Sequence, residues 1–191
     1  MNSLTELIYG TDHPKPDYEL YCDMDGCLTN FEKRFVEELR REGPKYYSKE
    51  VIDKVTRPKH FEALEGPDEF WKFVDQYIGL EFWTGMDWMP QGQKLWEFIK
   101  NYKPKILSSP SRHESSRLGK KVWVRNHLEP LPEVIFRFGN SKADFASPNS
   151  ILIDDRPSII QAWKDKGGIA VECKDGNTAQ VIEKLKELGY E

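Results

Sequence analysis

A chain of 191 residues is long enough for one well-buried core with a modest insertion and short for two independent domains of ordinary size. Its 38% hydrophobic and 13% aromatic content, beside 31% charged residues, excludes a disordered chain, because such chains lack the aromatics. Lys plus Arg (28) against Asp plus Glu (32) leave a net charge of -4, which offers no general field for DNA or RNA, so an anionic substrate has to be captured locally.

Taken in chain order, residues 1–20 carry neither a basic n-region nor an apolar h-region, and no stretch approaches the roughly 20 apolar residues that span a bilayer. Secretion and membrane insertion are not expected. Three cysteines, an odd number, with two in or beside an apolar strand, fit small buried hydrophobes in a reducing cytoplasm. The first predicted strand, residues 18–23 (YELYCD), ends in an acidic, glycine-containing turn, MDG. From Asn30, Phe31, Phe35 and Leu39 recur at helical spacing until Gly43-Pro44 stops the helix. Residues 45–66 are polar and weakly periodic, and a second helix with an aromatic face is predicted from Pro67 to Gly79.

Residues 81–92 (EFWTGMDWMPQG) read as a loop, and 93–103 as an amphipathic helix that Pro104 terminates. A short strand, KIL, then runs into Ser108-Ser109-Pro110, residues 114–128 read as a helix, and EVIFRF is rich in β-formers. The apolar strand SILI ends in Asp154-Asp155. Residues 156–168 read as a helix, GIAVEC as a strand, and 177–189 as a final helix capped by Asn177 or Thr178. Strands alternating with helices predict an α/β fold, an open parallel sheet covered by helices, with a helical insertion after the first strand. Ligands of such sheets bind beyond the carboxyl ends of the strands.

The polar clusters at those ends carry the chemistry. Asp23 and Asp25, two residues apart in the turn, need a counter-charge, and a hard divalent cation such as Mg2+ takes carboxylate oxygens and substrate phosphate together. With the repulsion removed, one aspartate can attack phosphorus while the other protonates the leaving oxygen and later deprotonates water. Asp154-Asp155, two adjacent acids at a strand end, are costly to bury without a metal or a donor, and they point to the same site. Asp155 alone also reads as a helix N-cap ahead of Arg156-Pro157. Ser108 and Ser109 offer hydroxyls, and Lys142 a cation, to phosphate oxygens; alone each reads as a plain turn or a solvated charge.

In this order, DMDGC, LSSPS, Lys142 and LIDDR, the chain resembles the haloacid dehalogenase-like phosphohydrolases over nearly its whole length. The resemblance implies a Rossmann-like core from residues 1–32 and 86–191, a helical cap from 33–85, a phospho-aspartate at Asp23, an acid/base at Asp25, and Mg2+ on Asp23, Asp25 and Asp154 with Asp155 orienting water and donors around it. More narrowly, DMDGCLTNF, the Phe70-Trp71 pair before QYIG, SSP, KKVWV and LIDDRP resemble the 5′(3′)-deoxyribonucleotidase family. That likeness implies a base pocket lined by Phe31, Phe70 and Trp71, and phosphate contacts from Ser108, Ser109, Lys142 and Lys120. The expected activity is hydrolysis of nucleoside monophosphates, with a small-molecule nucleotide rather than a nucleic-acid polymer as partner and a homodimer left open. Other readings remain open: a phosphatase of another small ester or of 3′-phosphate ends, or a non-catalytic binding protein on the same fold.

Overall fold

The computed structural model describes residues 17–54, 64 and 66–191. Five parallel strands form one sheet: β1 (Glu19–Cys22), β2 (Lys105–Ser108), β3 (Val134–Phe136), β4 (Ser150–Asp154) and β5 (Ile169–Glu172), in the order β3-β2-β1-β4-β5. The α/β, all-parallel sheet expected from the alternating pattern is present. The chain builds outward from β1 to β3, then returns to the other side of β1 for β4, so the order reverses between β1 and β4. Cys22 pairs with Ile153 in that register, and the Asp23 N–H donates to the Ile153 carbonyl at 2.8 Å. Two acid-bearing strand ends therefore lie side by side because the backbone ladder aligns them.

Helix α1 (Phe31–Glu42) begins where Asn30 caps it, its side chain accepting from the Lys33 N–H, and buries Phe35 and Leu39. A short helix, α2 (Lys49–Lys54), forms within the stretch that lacked clear periodicity, and its side chains hold no buried position. Helix α3 (Pro67–Lys72) does not continue regularly to Gly79: from Phe73 to Ile78 the chain takes π-helical turns, and Gly79 ends them with φ of 66°. The turns bury Phe73, Val74 and Asp75 together.

The expected loop at 81–92 is corrected. Its first part is α4 (Leu80–Thr84), in which Phe82 and Trp83 are buried, because packing on another helix overrides a sequence too short to show a period. That helix is α6 (Glu114–His127), and α5 (Gly92–Ile99) precedes β2. Gly119 makes the close approach of α4 and α6 possible: a Cβ there would sit 2.3 Å from the Trp83 Cβ. After β4 come α7 (Pro157–Asp165) and, behind β5, α8 (Thr178–Glu187), which Asn177 caps through the Gln180 N–H. One apolar cluster runs from β1 and β4 through Phe35, Phe70, Phe73 and Trp83 to Trp123, so the helices between β1 and β2 share the core of the sheet. All three cysteines are free and buried, and no described helix is long and apolar enough to cross a membrane.

Candidate active site

The strand ends converge on one lysine. Lys142, in the helical turn Gly139–Phe145, is fully buried and reaches Asp23 Oδ1 at 2.9 Å and Asp154 Oδ2 at 2.7 Å. Backbone donors complete the hold: the Met24 N–H donates to Asp23 Oδ1 at 2.7 Å, and the Arg156 N–H to Asp154 Oδ1 at 3.0 Å. Asp23, Asp154 and Asp155 each bring an oxygen within 4.8 Å of the others. Gly26, with φ of +80°, is required twice over, because a Cβ there would also lie 2.4 Å from Asp155 Oδ2.

Such crowding has electrostatic consequences. Burial first, and the Asp23 charge second, push Asp154 up to about 6 from a usual 3.8. Burial, then Asp23, Asp154 and Asp25, push Asp155 up to about 7. Burial works against the charge on Lys142, but Asp23 and Asp154 outweigh it and raise its pKa. Counting Asp23, Asp25, Asp154 and Asp155 as -4 and the buried Lys142 and Lys120 as +2, the ionised site carries -2. A divalent cation cancels that charge, and three hard oxygen donors close together suit Mg2+. The residues present therefore fit the ion.

Asp25 stands apart from this trio. Thr29 Oγ1 donates to Asp25 Oδ1 at 2.9 Å, and Lys120 Nζ donates to Asp25 Oδ2. Lys120 also donates to Ser108 Oγ at 2.9 Å and lies 5.3 Å from the centre of the Trp83 ring. Ser109 Oγ accepts from the Gly139 N–H at 3.1 Å, tying the β2 loop to the turn that carries Lys142. The expected phosphate-side residues are thus held in two groups, Ser108 and Lys120 around Asp25, Lys142 between Asp23 and Asp154. Thr29 escaped the sequence reading; its signal was a hydroxyl four residues beyond Asp25 across a glycine turn.

The three aromatics separate. Phe70 is 1% exposed, its ring 4.5 Å from that of Phe35. Phe31 is half-buried, with ring centres 5.0 Å from Phe82 and 6.2 Å from both Phe70 and Trp71. Trp71 is 37% exposed and lines a cavity of about 700 Å3 between α3 with its π-helical turns and the loop after β2, which Asp75, Ser111, His113 and Phe138 also line.

No protein-family model and no curated protein matches the sequence. Solved structures do match. An L-2-haloacid dehalogenase superposes with a TM-score of 0.53 at 11% identity, covering 84% of this chain and 86% of that one. A predicted phosphatase from Clostridium acetobutylicum superposes with a TM-score of 0.53 at 12% identity, covering 91% of each chain. The chain has the haloacid dehalogenase-like fold. At such identities the likeness establishes the fold, and the chemistry rests on the residues just described.

A cation at this cluster would compete with protons. In the folded, metal-free chain Asp154 and Asp155 bind protons up to about 6 and about 7, whereas unfolded they release them near 3.8. The folded state then holds more protons across that window, so the contribution of these groups to stability falls as pH rises through it. Mg2+ is expected to raise the melting temperature more at about pH 7.5 than at about pH 5, where protons already neutralise part of the cluster. Thermal unfolding in EDTA and in Mg2+ at the two pH values checks this, and equal increments would contradict it.

Proposed function

We propose that the chain is a Mg2+-dependent phosphatase of nucleoside monophosphates that works through a phospho-aspartate at Asp23. The observation that carries the reading is the division of the acidic set. Asp23 shares Lys142 with Asp154, whereas Asp25, two residues on, is held apart by Thr29 and Lys120. Two carboxylates in different surroundings suit a nucleophile and an acid/base.

In the proposed reaction, which Asp25 enters carrying a proton, the Asp23 carboxylate attacks phosphorus, the bond from phosphorus to the leaving oxygen breaks, and Asp25 gives that oxygen its proton. Asp25 then takes a proton from water as the water oxygen attacks phosphorus, and the bond from phosphorus to Asp23 breaks to restore the carboxylate. Mg2+, held by Asp23 and Asp154 with Asp155 beside them, would supply the positive charge that lets a phosphate approach the carboxylates. Lys142 and Lys120 add two fixed charges, and Ser108 keeps Lys120 in place against Asp25. A nucleotide is favoured as substrate because the cavity beyond Ser109 presents the exposed Trp71 ring, on which a base can stack.

Asp23→Asn is expected to abolish turnover in a folded protein, since an amide is no carboxylate nucleophile. Asp25→Asn is expected to cost roughly 10²–10⁴-fold, least for esters with good leaving groups. A leaving-group series checks the pair; substantial turnover by Asp23→Asn, or an Asp25→Asn loss independent of leaving group, would reverse or remove the assignments.

Trp71 and Phe70 are expected to respond differently despite being neighbours. Trp71→Ala removes a stacking surface and should lower nucleotide kcat/KM about 5- to 150-fold while affecting p-nitrophenyl phosphate far less. Phe70→Ala empties a core position and should destabilise the fold by about 3–5 kcal/mol, damaging both substrates. Melting curves and kcat/KM on the two substrates check this; proportional losses in a folded Trp71→Ala protein would remove the base from the cavity.

A further inference from the structure

Two buried carboxylates among the described residues take no part in the reaction: Glu38, which is paired with Arg34 and Arg41, and Asp75, which has no ion-pair partner. Asp75 is 6% exposed and sits in the π-helical turns, remote in sequence from every catalytic acid. Trp83 Nε1 and Ser111 Oγ each donate to its Oδ1 at 3.0 Å, and Ser115 Oγ donates to the same atom at 3.4 Å. Oδ2 takes none of these bonds, nor is it one of the enclosed, unpaired polar atoms among the described residues. Asp75 lines the 700 Å3 cavity, so its spare acceptor is open to an occupant.

The location ties this acceptor to the reaction. Ser111 follows Ser108 and Ser109 on the loop after β2, so the cavity begins where the phosphate-side loop ends. Its walls carry the exposed rings of Trp71 and Phe138, at 37% and 52% exposure. Lys72, Arg112 and His113 also line the cavity and can meet anionic groups elsewhere in it, but at the Asp75 carboxylate itself a flat ring bearing N–H donors suits the space and a second phosphate does not. We propose that Asp75 is a specificity-determining residue whose Oδ2 accepts an N–H from the exocyclic amino group of the nucleobase.

The inference rests on the nucleotide reading above and sharpens it. Burial raises the pKa of Asp75 against the hydrogen bonds from Ser111 and Trp83, so one more N–H on Oδ2 favours the ionised carboxylate. A base without the amino group offers that oxygen no donor, and sites built around such a bond discriminate against the analogue that lacks it. In Asp75→Asn the introduced amide can keep its oxygen toward the three existing donors while turning an NH2 toward the cavity, which repels an amino group.

The test uses pairs of substrates that differ only in the amino group: dAMP against its analogue lacking the 6-amino group, and dGMP against dIMP. The unaltered protein is expected to prefer the amino-bearing member of at least one pair by roughly 10- to 150-fold in kcat/KM, the range of a hydrogen bond to a charged group. Asp75→Asn is expected to erase that preference, whereas a merely structural role would lower both members together. Absence of preference in the unaltered protein, or a preference that survives Asp75→Asn or follows a sugar hydroxyl instead, overturns the inference alone. Turnover of p-nitrophenyl phosphate with no turnover of any nucleotide overturns the nucleotidase reading and this inference with it. Because the first comparison needs no variant, the inference stays exposed to refutation even if Asp75→Asn fails to fold.

Discussion

The bridge from Lys142 to Asp23 and Asp154 is the constraint on which the site depends. The register of β1 against β4 leaves two strand ends, each tipped with an aspartate, side by side in a buried place. Without a cation between them those carboxylates would repel and desolvate at once; removing one partner of a buried pair costs about 3–5 kcal/mol. Lys142 resolves part of this, and the serine-anchored turn holds it there through the Gly139 N–H. What it leaves is a surplus of negative charge, which adds to burial, the larger cause, in raising the pKa values of Asp154 and Asp155. That surplus and the hard oxygen donors fit a dication, which on the proposed reading would let a phosphate ester approach the carboxylates.

The second lysine links the acidic turn to the cavity. Lys120 binds Asp25 and Ser108 while lying over the face of Trp83, and the indole N–H of that same tryptophan donates to Asp75. Trp83 can stand there because Gly119, next to Lys120 on α6, has no side chain to obstruct it. One aromatic ring thus packs its face on the lysine that holds Asp25 and donates from its edge to the cavity carboxylate. A change in the helical insertion would be felt at Asp25 through that ring.

Much of this was legible in the sequence. Apolar runs ending in Asp23, Ser108 and Asp154 identify strands whose carboxyl ends hold the site, because a doubly covered parallel strand must be apolar until it leaves the sheet. Of the two residues offered as the cap of the last helix, Asn177 is the one that caps it, and the helical spacing after Asn30 marks the helix that Asn30 caps. Asp75 was not legible: between Val74 and Gln76 in an amphipathic stretch it reads as a solvent-side charge, and only the π-helical turns bury it beside Phe73 and Val74. Nor does adjacency in sequence separate Phe70, packed on Phe35, from Trp71, which faces the cavity. The carboxylates nearest one another are Asp23, Asp154 and Asp155, with Asp25 turned to Thr29, a division that depends on side-chain direction and has no spacing signature.

The central claim is that Asp23 carries the phosphoryl group. An acyl phosphate is reduced by borohydride to the alcohol, so a turnover mixture quenched in acid and then reduced should contain homoserine in place of aspartate at position 23 alone, found by mass spectrometry of the peptide containing it. The account predicts that product with Mg2+ and substrate and its absence without either. Homoserine at another position, or none while the ester is being hydrolysed and the intermediate is shown to survive the quench in a control, would contradict it.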